Sequence, residues 1–240
     1  MTLLRVIDLE TTGMLPPAEI LEFGRVDVAF ENGRARVGRP MARLYRPLGE
    51  IPPATMAVHH ITPEDIPPSA PVCDAEHLHL AVWAGARPDI LVAHNAAFEQ
   101  AFVGEAAGGL PWLCTLKAAL HLWPEAPGYG NQTLRYWRRL ALDRGAAMPP
   151  HRAGPDAYVT AHLLAELLKE ATVEEMIAWT AEPRPMPTIP FGKHKGAAWS
   201  EAPLAYLKWM LAQAEMDPDV LWHAGQELER RAAGKKPAAG

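Results

Sequence analysis

Asp8 and Glu10 stand two positions apart at the end of an apolar run that includes Leu3, Leu4, Val6 and Ile7. Such a run reads as a buried strand, and side chains on a strand alternate faces, so the two carboxylates project from one face into one small volume. Like charges about 4 Å apart repel by roughly 4 kcal/mol at an effective dielectric near 20. A hard divalent cation such as Mg²⁺ or Mn²⁺, which prefers carboxylate oxygen, resolves that conflict. Taken alone, the pair reads equally well as an aspartate that starts a turn followed by a solvated glutamate.

Two later segments supply further groups. Val92-Ala93-His94-Asn95-Ala96-Ala97-Phe98-Glu99 puts a carboxylate on the first turn of a helix that follows a buried strand, the edge at which α/β sheets build their sites. His151-Arg152-Ala153-Gly154-Pro155-Asp156 puts an imidazole in a loop and a carboxylate on the first turn of the next helix. Both are expected to reach the end of the first strand.

The elements that must position these groups follow from hydrophobic pattern and turn residues. Ile20 to Phe30 alternates as a second strand, Asn32-Gly33 is a hairpin signal, and Arg34 to Tyr45 returns as a third, giving an antiparallel opening. His59 and His60 precede a short helix that Thr62 caps, with Pro63 at its first position and Asp65 returning the cap bond. Asp74 to Gly85 reads as a helix, Ile90 to Ala93 as a strand and Ala96 to Ala107 as a helix. Trp112 to Cys114 reads as a strand, with Thr115 capping Leu116 to Leu122. Strand alternating with helix predicts a mixed sheet with helices packed on it. Asn131 to Leu142 is expected to be helical, and its Arg135, Arg138 and Arg139 beside Tyr136 and Trp137 read either as a phosphate-tracking face or as a solvated basic helix. A long helix opens at Gly154-Pro155, and Thr172 to Thr180 forms one more.

With 240 residues, 49% hydrophobic and 21% charged, the chain has ordinary globular composition with room for one core and an appendage. No apolar run approaches a membrane span and no leader pattern opens the chain, so no membrane partner and a cytoplasmic location are expected. Cys73 and Cys114 are too few for a disulfide framework and lack metal-ligand spacing, which makes them small core residues. A net charge of −5 argues against general cationic attraction to nucleic acid, but two divalent ions among the acids would cancel most of that excess. Residues 1–181 are expected to form the main domain, 182–187 a proline-stiffened linker, 188–232 a small accessory module and 233–240 a disordered tail.

Asp8-Leu9-Glu10-Thr11-Thr12-Gly13, His94-Asn95-Ala96-Ala97-Phe98-Glu99 and His151 with Asp156 resemble, in order and spacing, the three motifs of the DEDDh, or DnaQ-like, 3′→5′ exonucleases. Val58-His59-His60-Ile61-Thr62 resembles the His-x-Ile-Thr segment common in that family. The likeness covers roughly residues 1–170, and each motif gains its specificity from the others. Leu113-Cys114-Thr115-Leu116-Lys117, Leu122-Trp123-Pro124 and Phe191-Gly192-Lys193-His194-Lys195-Gly196 narrow it to the exonuclease X type. One position departs: the family's second motif normally ends in Asp, and Glu99 moves that carboxylate outward by about 1.5 Å.

The resemblance implies a ribonuclease H-like α/β fold, with a mixed five-stranded sheet flanked by helices and a small C-terminal accessory module. It implies two Mg²⁺ ions, with Mn²⁺ able to substitute, held by Asp8, Glu10, Glu99 and Asp156. His151 then serves as general base, in keeping with an imidazole's titration near neutral pH. It implies that Thr11, Thr12, Gly13 and Met14 hold the terminal nucleotide and its 3′-hydroxyl, with His59, His94, Asn95 and Phe98 lining the pocket; Phe98 is equally compatible with a buried support for its helix. The expected substrate is DNA 3′ ends, released as mononucleotides. Short or structured RNA, and a nucleic-acid-binding module weakened by Glu99, stand as alternatives. The accessory module is expected to contact DNA or protein, its Lys193-His194-Lys195 turn being either a nucleic-acid contact or a plain basic turn.

Overall fold

The opening apolar run forms β1 (Thr2–Thr11), the middle strand of a mixed sheet ordered β3-β2-β1-β5-β6. The computed structural model describes residues 1–234 and divides into one unit of Met1–Thr180, which holds this sheet, and a second from Ala181 onward. β2 (Ile20–Glu31) pairs antiparallel with β1, which sets Gly24 opposite Asp8 and Glu22 opposite Glu10. β5 (Ile90–Ala93) and β6 (Trp112–Cys114) add in parallel, with Val6 beside Val92 and Ala93 beside Cys114. β5 therefore ends one residue short of Asp8, and the helix that follows begins at the same edge of the sheet as the carboxylates.

Asn32 and Gly33 take φ of 52° and 71° in the tight turn from β2 to β3 (Arg34–Val37), the conformation that an Asn-Gly pair favours. The single third strand expected over Arg34–Tyr45 is instead two, β3 and β4 (Met41–Leu44), both paired with β2. Val37 faces Val28, whereas Met41 faces Arg25, a slip of one residue. Gly38 still donates to the Asp27 carbonyl at 2.9 Å, but Pro40 has no N–H for the ladder and the additional residue bulges out. The expected five-stranded width is kept, with two strands sharing one edge.

A helix that the sequence reading did not anticipate, α1 (Pro53–His59), begins on a proline at its first position. Asp65 then accepts the Thr62 N–H at 2.8 Å and its hydroxyl at 2.9 Å, so the expected cap is formed on a single 3₁₀ turn. α2 (Ala75–Trp83) is capped by Asp74, which accepts the His77 N–H at 2.9 Å. α3 (Ala96–Val103) ends sooner than expected because Gly104, at φ 48°, turns the chain into a 3₁₀ segment. α4 (Thr115–Leu122) contains Thr115 instead of being capped by it. α5 (Asn131–Trp137) stops short of Leu142, and Arg139 follows at φ 53°. α6 (Ala153–Leu167) and α7 (Val173–Ala181) complete the helices of this part of the chain.

One sheet face packs Leu4, Val6, Val26 and Val28 against Leu163 and Leu164 of α6, while Ile7, Leu9, Phe23 and Leu91 pack on the other face against α2 and α3. The fully buried Arg5 donates to both oxygens of Asp27 at 2.7 Å and to the Val82 and Ala86 carbonyls, which ties α2 to the sheet. The basic stretch of α5 is neither a solvated face nor a phosphate track throughout. Arg135 is buried and donates to the Ala147 carbonyl at 3.0 Å, and Arg138 stacks on Trp123 at 4.4 Å and pairs with Glu170 at 3.0 Å.

The second unit has its own core of Met186, Ile189, Trp199, Leu207, Met210 and Val220, built around α8 (Leu204–Leu211) and α9 (Pro218–Ala233). Part of the stretch read as a linker belongs to it, since Arg184 pairs with Asp217 at 2.7 Å and the Met186 carbonyl accepts the Trp199 indole N–H at 2.7 Å. Ala233 closes α9, so the disorder expected from 233 does not apply to that residue; residues 235–240 of the expected tail lie outside the described residues. Among the described residues no helix is long and apolar enough to cross a membrane.

Candidate active site

A cleft of about 480 Å³ opens at the end of β1. Asp8 and Glu10 enter it from one face of β1, as alternation requires, and Asp156 enters from the first turn of α6. One carboxylate oxygen from each lies within 4.8 Å of the others. Glu99, on the first turn of α3, lies outside that tight triad but lines the same cleft, 4% exposed, with Oε2 buried and without a hydrogen-bond partner among the described residues.

Electrostatics mark the cluster as a place that needs positive charge. Burial, then Asp156, Glu99, Glu10 and Glu22, raise the Asp8 carboxyl well above the usual range. Burial, with Asp156 and Glu22 beside it, pushes Glu10 up to about 8, and Arg152 only partly opposes this. Burial likewise takes Glu99 to about 8, against the pull of its own backbone N–H. Asp156 is raised by burial despite accepting the His151 N–H at 2.6 Å and the Gln132 side-chain N–H at 3.1 Å. An oxygen-only donor set with one orphaned, buried carboxylate oxygen fits a hard divalent cation.

The remaining residues anticipated from the sequence take several stations. His151 is exposed at the rim at φ 58°, its backbone tied to Asp156. Gly13 and the exposed Met14 line the cleft, as do Asn95 and the half-buried Phe98, which packs against Phe102 with ring centroids 5.1 Å apart. The Thr11 hydroxyl donates to the Gly13 carbonyl at 2.6 Å and shapes the loop. Thr12 is turned away: its hydroxyl accepts the Glu19 N–H at 2.8 Å, and Thr12 does not line the cleft. His94 lines the cleft but uses both ring nitrogens internally. Its Nε2 donates to the Tyr129 carbonyl at 2.7 Å, so its Nδ1 accepts from the Thr115 hydroxyl at 3.0 Å.

His59 is 2% exposed at the end of α1, and burial lowers its pKa. Its Nδ1 accepts the Ile61 N–H at 2.9 Å, so the proton sits on Nε2, which feels the Thr11 backbone but forms no hydrogen bond among the described residues, in a side chain that lines the cleft. α1 thus positions the donor, and Val58 beside it leaves an apolar side chain 49% exposed at the cleft.

Three residues escaped the sequence reading. Glu22 receives Arg152 through two bonds of 2.9 and 2.7 Å and the Ala153 N–H at 2.9 Å, fastening the start of α6 to β2. Gln132 holds Asp156 from α5. Gly24 leaves room for α6: a Cβ there would sit 2.1 Å from the Ala153 carbonyl carbon and oxygen. The strand pattern around Ile20–Phe30 was a signal for Glu22 and Gly24, but only the register with β1 shows which residues they face.

Residues 6–164 match the RNase T family of exonucleases. Over 225 residues the chain is 34% identical to exodeoxyribonuclease 10 of Escherichia coli K12, covering 91% of this chain and 95% of that protein. A solved structure of exonuclease X in complex with 5′-overhanging duplex DNA superposes with a TM-score of 0.61 at 33% identity, covering 74% of this chain and 99% of that one. E. coli exonuclease I in complex with a dA16 oligonucleotide, at 15% identity and a TM-score of 0.53, shares the fold over 75% of this chain and 43% of its own. The carboxylate cleft is therefore that of a chain belonging to the RNase T family of exonucleases.

Proposed function

We infer that this chain is a metal-dependent 3′→5′ exodeoxyribonuclease of the exonuclease X type, releasing nucleoside 5′-monophosphates from DNA ends. The observation that carries the reading is the meeting of Asp8, Glu10 and Asp156 oxygens within 4.8 Å, beside the unpartnered Glu99 carboxylate. DNA as substrate is supported by the near full-length likeness to exodeoxyribonuclease 10 and by the exonuclease X structure with duplex DNA. A cytoplasmic location goes with this reading.

Asp8, Glu10, Glu99 and Asp156 would hold two Mg²⁺ ions, for which Mn²⁺ could substitute, and such ions would polarise the scissile phosphodiester and stabilise charge on the leaving oxygen. An imidazole nitrogen of His151 takes the proton of the attacking water, from a rim position fixed by the His151 N–H on Asp156. The water oxygen bonds to phosphorus, the bond from phosphorus to the 3′ oxygen of the preceding nucleotide breaks, and that oxygen is protonated. The Thr11 to Met14 backbone holds the terminal 3′-hydroxyl, Phe98 and Met14 bound the sugar and base, and the free Nε2–H of His59 offers a donor. Thr12 and His94 act on this wall only through the loop and strand end they brace.

The test is digestion of a 5′-labelled single-stranded DNA with Mg²⁺, Mn²⁺ or chelator. A metal-dependent ladder shortening from the 3′ end is expected, and Asp156→Asn and His151→Ala should remove it. A ladder that survives both substitutions, or no cleavage with either metal, would overturn the reading. Matched RNA in the same assay separates deoxyribonuclease from ribonuclease action.

A further inference from the structure

The second unit carries a basic loop clamped over an aromatic platform. Ile189 donates to the Ala197 carbonyl at 2.9 Å and Gly196 donates back to Ile189 at 2.8 Å, which closes the loop that displays Lys193, His194 and Lys195. Gly192 takes φ 69°, and a Cβ there would lie 2.5 Å from the Tyr206 hydroxyl oxygen, so glycine lets the loop settle on that ring. His194 meets the Tyr206 ring edge at 4.6 Å, and the Lys193 ammonium lies over it at 5.8 Å. Tyr206 stacks in turn on Trp209, with centroids 5.4 Å apart and planes 19° from parallel.

Trp209 is 46% exposed although it sits on a short helix with a buried stripe of Leu207 and Met210. A shallow depression of about 360 Å³ runs along it, lined by Lys193, Pro203, Ala205, Tyr206 and Trp209. The charges around it are unevenly matched. The arginines of this unit are paired with carboxylates, Arg184 with Asp217 and Asp219, and Arg230 and Arg231 both with Glu227. Among the described residues Lys193 and Lys195 are exposed and form no salt bridge, so the platform joins an open π-face to uncompensated cations.

We propose that this loop and platform, Lys193 and Lys195 with Tyr206 and Trp209, bind single-stranded nucleic acid, a base stacking on Trp209 and flanking phosphates meeting the lysines. An exposed aromatic face accepts any base, and adjacent cations track the backbone without reading sequence. Charge complementarity selects a polyanion, and the choice of DNA among polyanions rests on the nuclease reading of the first unit.

The test is fluorescence anisotropy of a labelled oligothymidylate of about 30 nucleotides with the full chain carrying Asp156→Asn, so that the DNA is not consumed. In that background Trp209→Ala should weaken binding about tenfold, within the range for loss of one base stack. The double change Lys193→Gln and Lys195→Gln should lower the slope of log affinity against log salt by about 1.4, the value for two phosphate contacts on a single strand. In chains otherwise native, both changes should raise KM for the long strand and leave kcat within about twofold. Unchanged affinity and salt slope in both variants, with melting curves that show an intact fold, would overturn the proposal. Failure of the native chain to hydrolyse DNA would sink the nuclease reading yet leave the anisotropy result standing.

Discussion

Gly24 and Ala153 touch backbone to backbone at the point where α6 meets β2, and the position of Asp156 depends on that contact. A Cβ at residue 24 would lie 2.1 Å from the Ala153 carbonyl, an overlap that only movement of the helix start can relieve. Because Gly24 lies opposite Asp8, the displaced helix would carry Asp156 away from the carboxylate it must meet. Gly24→Ala should therefore lower kcat/KM by about 100-fold, the cost of roughly 1 Å of misplacement, and reduce stability by about 1–3 kcal/mol. Steady-state kinetics and urea unfolding check this, and native-like turnover would show that the contact does not set the site.

Arg152 and Glu22 form the second fastening of that helix, and Glu22 is buried beside Glu10. Removing the guanidinium strips Glu22 of its partner and takes away a cation that helps to hold the Glu10 carboxyl down. Arg152→Ala should cost about 1–3 kcal/mol, as expected for an unpaired buried group, and alter the Mg²⁺ concentration needed for half-maximal rate. Glu22→Gln, which keeps the shape and lightens the negative charge, should be milder on both counts. Equal effects from the two changes would contradict the charge argument.

The raised carboxyls give the metal-free protein a definite pH dependence. Burial pushes the Glu10 and Glu99 carboxyls up to about 8 in the folded chain, against 4.5 for an unperturbed glutamate. The folded state then holds more protons than the unfolded state between these values. Stability from this source is full below about 4.5 and is lost as pH rises through about 8. Thermal melts in chelator should fall across that window, and millimolar Mg²⁺ should raise the melting temperature more at pH 8 than at pH 5. A melting temperature in chelator that climbs with pH over this range would count against the shared-charge picture.

Glu99 can be tested by length and by charge. Glu99→Asp withdraws the carboxylate by about 1.5 Å but keeps its charge, so activity within about tenfold of native is expected. Glu99→Gln should cost at least about 100-fold and weaken Mg²⁺ binding measured by calorimetry. If Glu99→Gln retains native metal affinity, Glu99 lies outside the ligand set.

The sequence by itself determined the strand that presents Asp8 and Glu10: alternation along an apolar run puts residues two apart on one face, and the later motifs favour this arrangement over a turn at Asp8. It also determined the Asn32-Gly33 turn and the Thr62–Asp65 cap, which depend on bonds between near neighbours. The split of the edge strand at Gly38 to Pro40 depends on how β3 and β4 register on β2, which no local pattern states. Helix α1 lay hidden behind prolines that mark a first helical turn as readily as a loop. The roles of Glu22, Gly24 and Gln132 could not be read locally for the same kind of reason: their importance comes from partners in other elements, Arg152, Ala153 and Asp156. The tertiary structure also turned Thr12 away from the cleft and committed both nitrogens of His94 to neighbours. Residue type and spacing specify which groups can do chemistry; only packing decides which of their atoms remain free to do it.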